Sequence, residues 1–193
     1  MRKSTLAIVA TAALTASAAV QAQFYVSGNV GLGNISIDCS DTNDCDKTAT
    51  GFKAYGGYRF ENGWAVEAGY FDWGKATASF TDDDSTAVSG RASANGFGVG
   101  LAYFMPFSGD WVGVFRFGAI QNRGKLNISG STATVSGSKS EIFAYGGLGV
   151  GYNLTTRLAI TAEADFSRAR WGAEGVYDSE SVQLYSIGLR YSF

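Results

Sequence analysis

From Val182 to Phe193 the chain alternates with a period of two. Tyr185, Ile187, Leu189, Tyr191 and Phe193 fall on one side, and Ser186, Gly188, Arg190 and Ser192 fall on the other. Successive side chains of a strand point to opposite faces, so such a segment presents one continuous apolar face and one small, polar or charged face. A water-soluble barrel turns its aromatic and aliphatic face inward. A barrel in lipid turns it outward and keeps the small and charged residues inside.

Seven earlier windows repeat this pattern. In Phe24–Ile35, Phe24, Val26, Val30 and Leu32 oppose Tyr25, Ser27, Asn29, Gly31 and Gly33. In Phe52–Phe60, Phe52, Ala54, Tyr58 and Phe60 oppose Lys53, Tyr55, Gly57 and Arg59. Trp64–Trp73 sets Trp64, Val66, Ala68 and Tyr70 against Glu67, and Gly96–Met105 sets Phe97, Val99, Leu101 and Tyr103 against glycines and Ala102. Trp111–Gln121 carries Trp111, Phe115 and Phe117 opposite Arg116, and Ile142–Leu154 carries Leu148, Val150, Tyr152 and Leu154. The seventh sends Leu158, Ile160, Ala162 and Phe166 one way and Thr161, Glu163 and Asp165 the other. The expected fold class is all-β, an eight-stranded antiparallel up-and-down transmembrane β-barrel. Aromatic residues gather near the strand ends, as at a membrane interface.

Connections alternate in length. Short turns follow the second, fourth and sixth strands, among them Glu61-Asn62-Gly63 with its Asn-Gly pair. The spacing predicts long loops over residues 37–50, 75–95, 122–141 and 167–181. Short periplasmic turns and long external loops are the habit of outer-membrane barrels.

Residues 1–22 read as a secretory signal peptide: Arg2 and Lys3 precede an uncharged Ala/Val/Leu-rich stretch that ends in Val20-Gln21-Ala22. The barrel domain is expected over 23–193. Export favours a loop-closing disulfide between Cys39 and Cys45. Zinc is not expected, since the chain has no histidine and no third cysteine. Two aspartate clusters, Asp38, Asp41, Asp44 and Asp46, and Asp82, Asp83 and Asp84, read as solvated loops, with divalent-cation or partner binding as the sharper alternative. Trp171 and Tyr177 are read either as loop aromatics that contact lipopolysaccharide or a receptor, or as side chains packed on the rim.

The missing histidine also bears on chemistry. The His-activated serine or water of lipid-modifying or proteolytic barrels cannot be assembled, so no catalytic residue, cofactor or metal ligand is assigned and an enzyme is not expected. The net charge of −2 with no basic patch argues against nucleic acid as a partner. Instead Lys53, Arg59, Glu67, Arg116, Glu163, Asp165 and Arg190 are expected inside as a mutually neutralising ion network. Eight strands enclose just enough room for their own side chains, so the lumen should be largely plugged. The Gly-rich runs at 96–100 and 147–151 lack the spacing of phosphate loops.

Ala54-Tyr55-Gly56-Gly57-Tyr58-Arg59-Phe60-Glu61-Asn62-Gly63-Trp64-Ala65-Val66-Glu67-Ala68-Gly69-Tyr70-Phe71-Asp72-Trp73-Gly74-Lys75 resembles the transmembrane domain of the OmpA-type outer-membrane proteins. The closing Ser186-Ile187-Gly188-Leu189-Arg190-Tyr191-Ser192-Phe193 resembles that family's last strand, which implies Tyr191 and Phe193 as its assembly signal. Opacity and Ail/OmpX-like small barrels share the layout. The resemblance implies an eight-stranded barrel whose lumen glutamate is Glu67 and whose strand-five arginine is Arg116. The family's other lumen charges fall on Gly100, Gly151 and Thr161, so its ion-pair gate does not carry over intact. No stretch corresponds to the peptidoglycan-binding domain of full-length relatives.

The functional expectation is a non-enzymatic outer-membrane protein that contributes to envelope integrity. The alternatives are an adhesin or resistance factor binding host or phage proteins, and a low-conductance porin-like channel. Expected partners are outer-membrane lipid and lipopolysaccharide, the barrel-assembly machinery and periplasmic chaperones, and a host or phage surface ligand.

Overall fold

The computed structural model describes residues 23–36, 44–81, 87–129, 134–173 and 176–193. The expected signal peptide, Cys39, Asp38, Asp41 and Asp82 to Asp84 lie outside the described residues. The strands are β1 (Gln23–Ile35), β2 (Asp44–Asp46), β3 (Thr48–Arg59), β4 (Trp64–Thr81), β5 (Ala87–Ser108), β6 (Trp111–Ser129), β7 (Thr134–Asn153), β8 (Leu158–Ala173) and β9 (Val176–Ser192). All pairings are antiparallel: each strand from β3 to β8 pairs with the next along the chain, and β1 closes the wall by pairing with both β3 and β9, with Val26 opposite Gly56 on one side and Tyr191 on the other. Eight strands form the closed wall, and β2 is a three-residue spur set against Thr77–Ser79 of β4. Closure leaves no sheet edge around the lower wall, which is the condition for strands to cross hydrocarbon.

The alternation read from the sequence becomes the two faces of this wall. Phe97 is 70% exposed and Ile187 66% on the outside, while Lys53, Glu67, Arg116, Glu163, Asp165 and Arg190 are buried inside. Around the short-turn end, Phe24 and Tyr58, Trp64 and Tyr103, Trp111 and Tyr152, and Tyr191 and Phe193 pair as rings 4.8 to 5.2 Å apart. These form an interfacial girdle of the kind that positions a barrel in a bilayer.

The long external loops expected from the spacing are mostly strand. The β4–β5 ladder continues to Thr81 opposite Ala87, β6–β7 to Ser129 opposite Thr134, and β8–β9 to Ala173 opposite Val176. These segments are rich in Thr, Ser, Ala and Val, which suit a pleated sheet. They look like loops because above the bilayer both faces of a hairpin meet water, and no apolar alternation is required.

One irregularity sets what enters the upper lumen. Between Asp72 and Lys75 β4 carries one more residue than β5, with Gly74 at φ 85°. Asp72 Oδ1 accepts a hydrogen bond from the Gly74 amide at 2.9 Å. The bulge inverts the strand's parity, so Phe71, Trp73 and Ala76 all point inward while Lys75 points out. Phe71 and Trp73 stack at 5.5 Å and join Ile35, Ile120, Tyr145, Trp171, Val182 and Leu184 in an apolar layer.

A second irregularity closes that end. Pairing of β7 with β8 stops at Gly146 opposite Phe166, although β7 begins twelve residues earlier at Thr134. Above the split, β8 leans over the lumen toward β6. Asn122 Nδ2 donates to the Arg168 carbonyl at 2.6 Å, and Trp171 Nε1 donates to the Ser93 carbonyl at 3.0 Å. The wedge is spanned by Ser167 Oγ donating to the Ala144 carbonyl at 3.0 Å and by a half-exposed Arg170–Glu141 ion pair at 2.7 Å.

Gly74→Ala places a Cβ in the left-handed region, 3.2 Å from the Ala49 carbonyl oxygen. We expect a loss of about 1–2 kcal/mol, read as a lower urea midpoint for unfolding from phospholipid vesicles, and an unchanged midpoint for Thr77→Ser on the outer face above the bulge.

Candidate functional site in the lumen

The middle of the barrel is filled by charge. Lys53 on β3 pairs through Nζ with Glu163 Oε2 and Asp165 Oδ2 on β8. Arg116 on β6 donates from Nε to Glu67 Oε2 of β4 at 2.8 Å and from Nη1 to Glu163 Oε2 at 2.9 Å. Two phenols complete the layer. Tyr55 OH donates to Glu163 Oε1 at 2.7 Å and accepts from Arg116 Nη2 at 2.6 Å, and Tyr25 OH donates to Glu67 Oε1 at 2.5 Å. The Arg116 guanidinium lies 4.5 Å from the centre of the Tyr55 ring.

The ion-paired side chains are at most 2% exposed, so the layer depends on mutual satisfaction. A lone charge would not be tolerated there. Opposite the carboxylates the wall is glycine, and a Cβ on Gly147 would sit 2.5 Å from Asp165 Oδ1. Below the charges, Ser27 Oγ bonds Asn29 Oδ1 at 3.0 Å and Asn29 Nδ2 donates to Thr161 Oγ1 at 2.9 Å. Above them sits the apolar layer, in which Trp73 Nε1 donates to Asn122 Oδ1 at 2.9 Å.

Of the seven charges expected in one network, the structure brings five together: Lys53, Glu67, Arg116, Glu163 and Asp165. Arg59 and Arg190 also point inward but stand apart, toward the short turns. Arg59 Nη2 donates to Gln23 Oε1 at 2.5 Å, and the two guanidiniums lie 5.3 and 4.9 Å from the Phe104 ring. Their separation has a simple cause. Arg59 lies six residues along β3 from Lys53, roughly 20 Å at about 3.3 Å per residue, far from the carboxylates on β8, and Glu67, its diagonal neighbour across the β3–β4 ladder, is already engaged by Arg116 and Tyr25.

Trp171, read as a loop aromatic with two alternative roles, is 7% exposed and packed under the β8–β9 hairpin. The side chain of Tyr177 lies outside the described residues. Tyr191 and Phe193 stand on the outer face, where the Phe193 amide donates to the Phe24 carbonyl at 3.0 Å. Cys45 lies on β2, and among the described residues no cysteine is free. Sequence reasoning placed Tyr25 and Tyr55 on the inner face without assigning them to the network. The available signal was their parity with Lys53 and Glu67. It missed the apolar layer altogether, although Val182 and Leu184 share the parity of Ser186 and Gly188 and so had to point inward.

A family model described as outer membrane protein beta-barrel domain matches residues 4–193. An uncharacterized protein of Haemophilus influenzae is 29% identical over 195 residues, spanning 96% of this chain and 98% of its own. Among solved structures, Ail of Yersinia pestis superposes with TM-score 0.59 at 19% identity, covering 89% of this chain and 98% of Ail. OprG of Pseudomonas aeruginosa superposes with TM-score 0.54 at 14% identity, over 90% of this chain and 97% of OprG. Neisserial surface protein A gives 0.54 at 16% identity, over 88% of this chain and 97% of its own.

Glu163→Gln leaves Lys53 and Arg116 sharing one fewer buried negative charge. The expected cost is about 3–5 kcal/mol, measured as equilibrium unfolding from vesicles. Glu61→Gln on the exposed short turn should stay within about 0.5 kcal/mol of the parent.

Proposed function

Because this chain belongs to the outer membrane protein beta-barrel domain family, whose place is the outer membrane, we propose that it is a non-enzymatic envelope protein working through its outer wall. One observation carries this reading. Lys75 on β4, Arg91 on β5, and Arg123 and Lys125 on β6 are all exposed and point outward. Lys75 opposes Ser93, which in turn opposes Lys125, so the two lysines share one row across three strands. Arg91 stands next to that row and Arg123 lies below it, opposite Asn95. Asp72, at the lower edge, is engaged with the Gly74 amide.

This basic band is absent from the sequence reading because its members lie far apart in the chain and only strand pairing brings them together. It sits directly above the apolar belt of Tyr70 and Phe97, which supports contact with the phosphates of lipopolysaccharide. Arginine and lysine bind phosphate through charge-assisted hydrogen bonds, and several on one face act together against a polyanionic leaflet. The charge-filled lumen and its apolar cap support a structural role over solute passage. The lack of histidine supports the absence of an enzymatic role. The Cys39–Cys45 disulfide, recognition of Tyr191 and Phe193 by the assembly machinery, and escort by periplasmic chaperones belong to the same proposal.

A second reading, a surface protein that binds an external ligand, is favoured by the paired hairpins that rise above the bulge. Ail of Yersinia pestis has been solved in complex with the heparin analogue sucrose octasulfate, a polyanion of the chemistry the basic band would meet. Shortening the β6–β7 hairpin above the Arg123–Ser140 pair tests this: lost cell attachment with retained folding supports it, and unchanged attachment removes it.

Changing Lys75, Arg91, Arg123 and Lys125 together to Gln should remove most of the rise in unfolding midpoint that lipopolysaccharide gives the parent in vesicles. An equal rise in both proteins contradicts the leading reading. In planar bilayers the parent should show no steady single-channel currents, and steady currents abolished by Glu67→Gln would establish passage instead.

A further inference from the structure

The two arginines that stand apart from the ion-paired layer define a second site. Arg190 is 4% exposed, and its Nη1 is buried without a hydrogen-bond partner. Among the described residues neither Arg59 nor Arg190 has a carboxylate within ion-pair distance. The five-member layer above them holds two cations and three carboxylates. Adding Arg59 and Arg190 therefore turns the interior from a formal excess of one negative charge to an excess of one positive charge, and the positive end is the short-turn mouth.

That mouth is a recess of about 370 Å³ whose lining includes Gln23, Arg59, Asn153, Arg157 and Arg190. Asp110 also lines it, but this carboxylate is exposed at the rim and remains hydrated. The rim is fixed by main-chain bonds, with Asn153 N donating to the Asp110 carbonyl at 2.9 Å and Ser192 N to the Arg157 carbonyl at 2.7 Å. The walls are polar, the guanidiniums are held against the Phe104 ring, and a third arginine stands at the entrance. A buried guanidinium without a counter-charge is costly, while planar guanidinium forks in a fixed frame recognise tetrahedral oxyanions well.

We propose that this recess binds a phosphate-class oxyanion, held by Arg190 and Arg59 with Arg157 at its rim. The anion supplies the direct ion-pair partner that Arg190 lacks among the described residues, where Glu163 acts on it only at longer range and is itself paired with Lys53 and Arg116. More than one guanidinium favours a phosphate over a monocarboxylate. The same chemistry is offered by free inorganic phosphate in the compartment below the membrane and by a phospholipid headgroup of the adjoining leaflet.

The test uses the full-length barrel in maltoside micelles, titrated with inorganic phosphate at constant ionic strength, and separately the same micelles doped with phosphatidylglycerol. Thermal unfolding is read in both. Two variants accompany the parent. Arg190→Gln removes the buried guanidinium. Gly151→Asp keeps it but points a carboxylate at it from a Cβ position 3.3 Å from Nη2, giving Arg190 an internal partner. The expected result is a saturable rise in melting temperature for the parent, with affinity about tenfold weaker or lost in both variants. A response to phosphate assigns the free anion, and a response to phosphatidylglycerol alone assigns the headgroup. No response to either, or a response that both variants retain, overturns the proposal.

Discussion

Everything inside this barrel is organised by the need to neutralise Arg116. A guanidinium sealed in a narrow cylinder cannot keep its hydration, so its donors are matched to Glu67 on one side and Glu163 and Tyr55 on the other. Glu163 is shared with Lys53, and Lys53 brings in Asp165. The five charges reach from β3, β4, β6 and β8, so the network ties together walls that are distant in the sheet. Backbone pairing alone links only neighbours. The layer therefore fixes the cross-section of the barrel as well as filling it.

The interior is stratified, and each layer has a different physical basis. Polar uncharged groups and two unpaired arginines lie toward the short turns, the ion-paired layer occupies the middle, and an apolar plug of Trp73, Trp171, Leu184 and their neighbours closes the far end. The apolar plug is possible there because β8 departs from β7 and folds inward, bringing Trp171 against Ser93. A lumen closed in this way leaves the outer wall as the surface available to the membrane. It is also where the basic band above the aromatic belt lies.

The parts legible in the sequence were those the bilayer imposes. Strand period, the outward direction of Phe97, Leu189 and their like, and the inward direction of Lys53, Glu67, Arg116, Glu163 and Asp165 all follow from a wall that must be greasy on one side only. Once the chain leaves the bilayer that constraint ends. The hairpins over 75–95 and 122–141 then look like loops, because Thr, Ser and Ala alternate with no apolar signature. The bulge at Gly74 was equally hidden, since a single inserted residue reverses parity without changing composition. Nor does parity report height along the axis or which carboxylates are already taken, which is why Arg59 and Arg190 are grouped in the sequence reading with charges that pair instead with Lys53 and Arg116.

The account stands or falls on whether the central ions act as one unit. A double-mutant cycle of Glu67→Gln and Arg116→Gln, with unfolding free energies measured in phospholipid vesicles, tests that directly. The structure predicts a coupling of about 2 kcal/mol or more, far above what an exposed pair gives. Additivity within about 0.5 kcal/mol would contradict it and would mean that the two side chains are independently solvated in an open, water-filled lumen.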